Sequence, residues 1–301
     1  LFVSTIGSII LGARLALAER FSASQFWSDC RRYNVVQVST LGGIIPLLMK
    51  QPVRPDDRDN PVRLALSVGC PGSIWREFEE RFGVRVIEWY GMSDSPGNLI
   101  NTEGRVGSVG KPVLGTEFRV VDDNDEPLPP GKLGQLVFRH EVGQVTRYNN
   151  LPEATAEAYR GGWFHSGDLA QTDADGFFYF RGRMKEAIRW RGENISAWEG
   201  ESVIDQHPAV VESAAFGLPS ELGDEEVAVA VVLQPGQSLA PEELLTFCRG
   251  RLAYYAVPRF IDVVDALPKT GTQKLQKGVL KQRGRTPTMW DREAHGISIS
   301  K

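Results

Sequence analysis

Between residues 35 and 89 short apolar runs alternate with helical periodicity, and this alternation constrains the fold more than anything else in the chain. Residues 35–38 and 64–68 are apolar runs of buried-strand length. Ile74, Phe78 and Phe82 share one helix face up to Gly83, where glycine takes a left-handed helix end without steric cost. Residues 84–89 are strand-like again. Strand, helix, strand at this spacing predicts βαβ units in a mostly parallel sheet. Upstream, Phe26, Cys30 and Tyr33 recur at i, i+4 and i+7 behind Ser22 and Ser24, which predicts a capped amphipathic helix. Residues 51–60, two prolines among charged neighbours, read as a surface loop.

The pattern changes near Gly104. Glycines and prolines crowd between short strand signals at 117–122, 134–139 and 177–180, which predicts an antiparallel, barrel-like subdomain. Asp122-Asp123-Asn124-Asp125 lacks the glycine and terminal glutamate of a calcium loop and reads as a solvated hairpin tip. After Lys185 helical signals at 198–206 and 241–252 mix with strand signals at 210–216, 227–234 and 260–264. The expected organisation is a partial α/β subdomain over 1–103, a β-rich subdomain over 104–185, a small α+β domain over 186–284 and an unpatterned tail over 285–301.

The 301 residues carry 34 basic and 38 acidic side chains, a balance that argues against a nucleic-acid groove or a polybasic membrane patch. No apolar run reaches the roughly 20 residues of a membrane helix; the longest candidate, residues 1–17, is cut by Ser4, Thr5, Ser8 and Arg14. Cys30, Cys70 and Cys248 show no zinc spacing and read as reduced thiols of a cytoplasmic protein. The chain opens on Leu1 without a methionine, from which a missing N-terminal segment of the same protein is expected.

Several short segments carry side chains suited to chemistry. Glu88-Trp89-Tyr90-Gly91-Met92-Ser93-Asp94 puts a ring, a hydroxyl and a carboxylate at the carboxyl end of an expected parallel strand, where open α/β sheets bind ligands. Gly69-Cys70-Pro71 closes the preceding strand, and a base would stack between that turn and Tyr90. Taken alone, both are also ordinary strand-to-loop turns. Asp168, after Ser166-Gly167, has the chemistry to accept from a ribose diol. Arg181-Gly182-Arg183-Met184-Lys185-Glu186 either holds a phosphate or solvates a surface. Gly192-Glu193-Asn194-Ile195 opens the small domain, and Leu267-Pro268-Lys269-Thr270-Gly271-Thr272-Gln273-Lys274 is a turn-rich loop with two lysines.

In their order and spacing these segments, with Gly107-Ser108-Val109-Gly110-Lys111-Pro112 and Pro130-Gly131-Lys132-Leu133-Gly134-Gln135, resemble the adenylate-forming (AMP-binding) superfamily, the acyl-CoA synthetases and their relatives. The resemblance runs from residue 1 to about 283. Asp56-Asp57-Arg58 and Thr272-Gln273-Lys274-Leu275-Gln276-Lys277 are most similar to the carnitine/crotonobetaine-CoA ligase branch.

The resemblance implies an acid–thiol ligase that activates a small carboxylic acid with ATP and Mg²⁺ to an acyl-adenylate, then transfers the acyl group to CoA. Gly69, Cys70, Pro71, Tyr90 and Gly91 would frame the adenine and Ser93 would meet the α-phosphate. Asp94 would help hold Mg²⁺, and Asp168 and Arg183 would bind the ribose and phosphate. Lys274 would be catalytic, bridging carboxylate and phosphate oxygens during adenylation. Lys185 would be the hinge of a small mobile domain that presents Lys274 for one half-reaction and Gly192, Glu193, Asn194 and Arg191 to CoA for the other. Lys269 is expected to be structural.

The sequence departs from the family pattern in places. Ser93-Asp94 replaces Thr-Glu, so the metal carboxylate is one methylene shorter. Gly200 lies inside an expected helix, at a cost of about 0.5–1 kcal/mol. No Gly-rich run leads into a lysine and Ser/Thr, so the family's phosphate loop has no counterpart here and the chain is expected to be inactive by itself. Two other functions fit the same residues: an adenylation enzyme that loads a carrier protein, and a non-catalytic binding or scaffold module derived from a ligase.

Overall fold

In a computed structural model, residues 2–190, 193–220, 223–269 and 275–299 are described. They divide into two compact units: residues 1–132, 137–166 and 171–180, and residues 133–136, 167–170 and 181–301.

The first unit begins with α1 (Phe2–Ile10), α2 (Phe26–Tyr33), β1 (Gln37–Leu41), α3 (Ile44–Met49), β2 (Leu64–Val68), α4 (Gly72–Phe82) and β3 (Arg85–Tyr90), followed by β4 (Leu99–Asn101) and β5 (Lys111–Pro112). The five strands form one sheet in the order β1-β2-β3-β4-β5. β1, β2 and β3 pair in parallel, while β4 runs antiparallel to both β3 and β5. Crossover helices demand the parallel pairing, as the alternation of runs predicts. Trp75, Phe78 and Phe82 of α4 are fully buried, in one cluster with Ala65, Val86 and Trp27. Gly83 ends α4 in the left-handed conformation, its N–H donating to Glu79 O at 2.9 Å. Truncating Phe78 in such a cluster costs about 3–5 kcal/mol.

One local expectation is corrected. Gln25, not a serine, stands at the N-cap of α2 and makes no side-chain cap bond; Ser22 and Ser24 instead approach each other at 3.3 Å. Residues 51–60 form the expected surface loop, mostly exposed and anchored through the buried Asp57. Arg81 binds the buried Asp57 carboxylate at 2.7 Å and donates to the carbonyls of Met49, Gln51 and Pro52.

Beyond the first sheet come β6 (Thr116–Val121), β7 (Gly134–His140), α5 (Pro152–Ala158), β8 (Phe164–Thr172) and β9 (Phe178–Arg183); the four strands form a sheet in that order. β7, β8 and β9 each run across the division between the units. At the tip after β6, Asp122 Oδ1 accepts from the backbone N–H groups of Asn124 and Glu126.

The second unit continues with β10 (Ile188–Trp190), β11 (Glu193–Ile195), α6 (Ala197–Ile204), β12 (Val210–Pro219), β13 (Glu225–Leu233), α7 (Pro241–Cys248), β14 (Phe260–Val263), α8 (Lys277–Arg283) and β15 (Trp290–Asp291). Its main sheet has the order β12-β13-β14-β15. β13 is buried on both faces. Val227, Val229 and Val231 enter one apolar cluster and Ala228 and Ala230 the other, which explains its unbroken apolar sequence. The tail is tied to this sheet. Trp290 and Asp291 pair with Ile261 and Phe260, and buried Asp262 accepts from Arg283, Thr286 and Thr288. α7 ends at Cys248, because Arg249 is extended.

Candidate active site

In the first unit the candidate residues gather where β2 and β3 end. Gly69 leaves β2 with φ +92°, a conformation that favours glycine, and a Cβ on it would meet Gly42 Cα at 3.5 Å. Cys70 follows, its buried thiol pushed upward by desolvation and then by the carboxylates of Glu88 and Glu79. Pro71 is extended and opens α4.

Sequence reasoning missed the group that organises this turn. Glu88, 3% exposed, accepts from the N–H of Gly69 and from the N–H of Cys70 at 3.2 Å. Burial lifts its carboxyl to about 7, against the lowering effect of its bonds from Gly69, Ser67 and Cys70. The signal was present: the buried face of β3 reads Val86, Glu88, Tyr90, an ionisable residue where an apolar one is expected.

Tyr90 is buried, with Phe180 at 6.3 Å and Phe118 edge-on at 6.5 Å. Gly91 leaves room for its neighbours, since a Cβ there would stand 2.6 Å from both the Trp89 ring and Asn98 Oδ1. Ser93 and Asp94 are exposed on the loop that follows. Asp94 is held twice by another segment: Tyr148 donates to its Oδ2 at 2.9 Å, and Thr146 donates to its carbonyl at 2.8 Å. Tyr159 Oη lies 2.8 Å from Thr146 Oγ1 and 3.1 Å from Ser95 Oγ, completing the chain of contacts. Tyr148 was also missed.

In the second unit Asp168, 1% exposed, meets Arg183 Nε at 2.8 Å. β8 and β9 thus bring together the two residues assigned to ribose and phosphate. Lys185 is exposed in a short 3₁₀ turn, Met184–Glu186. Ser196 caps α6 by accepting from the Glu199 N–H at 3.1 Å, and its hydroxyl donates to Arg181 O. Lys277 was missed as well. Its Nζ lies 3.2 Å from Glu186 and 2.8 Å from Glu201, joining the turn at Lys185 to α6 and α8. Glu201 also accepts from the Ala215 N–H at 2.7 Å; burial raises it to about 7, opposed by Lys277. Lys269 pairs with Glu212 at 2.7 Å.

Lys274, Arg191 and Gly192 lie outside the described residues, and Glu193 and Asn194 are described only as the backbone of β11. The three cysteines are buried and free of disulfides, with Cys30 pushed to about 11 and Cys248 to about 12 by burial. Among the described residues no helix is long and apolar enough to cross a membrane.

Residues 1–148 match the AMP-binding enzyme family, and residues 199–274 match the AMP-binding enzyme C-terminal domain. With both segments in this order, the chain belongs to the AMP-binding, adenylate-forming enzymes. Among these it is similar to the oxalate–CoA ligase of Arabidopsis thaliana, 34% identical over 295 residues, which are 94% of this chain and 57% of that protein. It is also similar to the crotonobetaine/carnitine–CoA ligase of Salmonella heidelberg, 32% identical over 278 residues, covering 90% and 54% respectively. The fold is similar to that of ATP-bound MatB from Rhodopseudomonas palustris, with TM-score 0.82 and 28% identity over 94% of this chain and 57% of that one. The chain spans about half the length of these relatives.

Proposed function

We propose that this chain carries the AMP-facing part of an acid–thiol ligase, a cytoplasmic ATP-dependent acyl-CoA synthetase acting on a small carboxylic acid. The observation that supports this most is the pair of buried Asp168 with Arg183 at 2.8 Å, in a chain holding both AMP-binding segments. A buried carboxylate fixed by a guanidinium is a preorganised acceptor for a vicinal diol, and the partly exposed guanidinium a donor to phosphate.

In the first half-reaction a substrate carboxylate oxygen attacks the α-phosphorus of ATP, and the bond to pyrophosphate breaks. In the second, the CoA sulfur attacks the acyl carbon and AMP leaves. The turn at Gly69, Cys70 and Pro71, with Tyr90 and Gly91, frames the adenine, and Ser93 offers its hydroxyl to the α-phosphate. Lys274 offsets the repulsion between carboxylate and phosphate.

Mg²⁺ binds through one or two carboxylates plus substrate phosphates and water. Asp94 fits that donor set, being exposed and oriented by Tyr148. Bound there, the ion would offset negative charge on the departing pyrophosphate.

The domain centred on residues 186–284 turns about Lys185 between the two steps, and residues 191–194 then meet CoA. In the full protein, Lys274→Ala is expected to abolish carboxylate-dependent ATP–pyrophosphate exchange while still converting supplied acyl-adenylate and CoA to thioester. Equal loss of both steps overturns the role of Lys274.

A further inference from the structure

Two lysines flank the loop that carries Lys274. The Gln276 N–H donates to Pro268 O at 2.9 Å and Lys269 forms a bridge with Leu275, so the chain is closed on both sides of residues 270–274. Lys269 stands at one side of this closure and Lys277 just beyond the other.

The two lysines are held differently. Lys269 meets Glu212 of β12, and both side chains of that pair are more than a quarter exposed. Exposed pairs contribute little. Lys277 is 14% exposed, as is Glu201 of α6, its partner at 2.8 Å. Glu201 is fixed in turn by the Ala215 N–H of β12 at 2.7 Å. Lys277 Nζ also lies 3.2 Å from Glu186, the residue after Lys185. One ammonium thus ties together the turn at Lys185, α6 and the start of α8.

Helix formation does not account for a lysine at this position. Lys277 is the first residue of α8, whose first turn holds no acidic residue. A cation at that end opposes the helix dipole. A desolvated ammonium is costly unless carboxylates meet it, and removing one partner leaves the other charge uncompensated. What the arrangement supplies is a fixed position. Leu280, one turn further on, is buried in one cluster with Ala214 and Phe216 of β12, which gives Lys277 a rigid base.

We propose that Lys277 is the positioning residue of the Lys274 loop. Through Glu201 and Glu186 it fixes the end of that loop to the turn at Lys185, so that rotation about Lys185 delivers Lys274 as part of one rigid piece. This rests on the adenylation reading above. Lys277 acts through the loop, its own charge being taken up by the two glutamates.

The test uses the full protein and separates the two half-reactions, for wild type, Lys277→Gln, Lys277→Arg and Glu186→Gln. ATP–pyrophosphate exchange is followed with whichever of acetate, butyrate, octanoate, succinate and benzoate exchanges fastest in wild type. Thioester formation is followed from CoA and the acyl-adenylate of that acid. Lys277→Gln should lower kcat of exchange about tenfold or more, because a displacement of about 1 Å at a reacting group costs up to about a hundredfold. KM for ATP and the rate of thioester formation should stay within about twofold of wild type, whereas general damage would slow both steps alike. Lys277→Arg keeps the cation and should exchange within about threefold of wild type. Glu186→Gln leaves the buried pair with Glu201 intact and keeps the question answerable if Lys277→Gln fails to fold; it should lower exchange about threefold and leave thioester formation unchanged. Unchanged exchange in the folded variants, or equal loss of exchange and thioester formation, overturns the role of Lys277. A wild-type protein that exchanges with no acid of the set overturns the adenylation reading itself.

Discussion

Tyr148 donates its phenolic proton to Asp94 Oδ2 at 2.9 Å across 54 residues of sequence. An aspartate is one methylene shorter than the glutamate of the family pattern, and the phenol restores a fixed direction to it. Tyr148→Phe should therefore loosen the carboxylate without removing it. The Mg²⁺ concentration for half-maximal ATP binding is expected to rise about three- to tenfold, the scale of one bond to a carboxylate. AMP binding without Mg²⁺ should stay as in wild type. A Mg²⁺ titration monitored by bound ATP measures both, and an unmoved Mg²⁺ midpoint argues against any coupling of Tyr148 to the metal.

Glu88 also makes stability depend on pH. Burial raises its folded value to about 7 from about 4.5, so between those values the folded chain binds this proton more tightly than the unfolded one. Its favourable contribution is complete below about pH 4.5 and is lost as pH rises to about 7, by about 3 kcal/mol. Glu88→Gln cannot ionise. The stability of wild type relative to this variant should fall by about that amount from pH 4.5 to 8. Glu201 is also raised to about 7 but is common to both proteins and cancels. Denaturant midpoints across that range give the difference, and a constant value contradicts the burial argument.

Gly200 offers a stabilising change. It lies inside α6, and a Cβ there would meet only Ala215 Cβ at 3.9 Å, an ordinary contact. Gly200→Ala should raise stability by about 0.5–1 kcal/mol through helix propensity and reduced freedom of the unfolded chain. Urea unfolding reads this directly; a loss of stability would mean that the methyl does not fit against β12.

The elements legible in the sequence are those whose partners are close or whose pattern is strong. α4 with its Gly83 stop, β3, and the β12–β13 pair follow from apolar periodicity alone. α3 was illegible because Ile44–Met49 is a short apolar run holding Pro46, with no period to read. β8 was hidden by Gly167, which breaks a strand pattern, although Asp168 inside it was noticed for its chemistry. β15 is two residues long and is held by distant Arg259 and Phe260, so nothing local announces it. The same rule governs the site. Individual residues such as Asp168 and Arg183 were readable as motifs, whereas their pairing, and the hold of Glu88 on Gly69 and of Tyr148 on Asp94, exist only once strands are in register.

The central claim is that Asp168 belongs to a site for an adenylate. The most direct measurement is calorimetric titration of a stable acyl-adenylate mimic, an acylsulfamoyl adenosine, into the chain with and without Asp168→Ala. Saturable binding at one site, weakened at least about tenfold by loss of a charged hydrogen-bond acceptor, is the result predicted. Absence of saturable binding, or equal affinity in the two proteins, would contradict it.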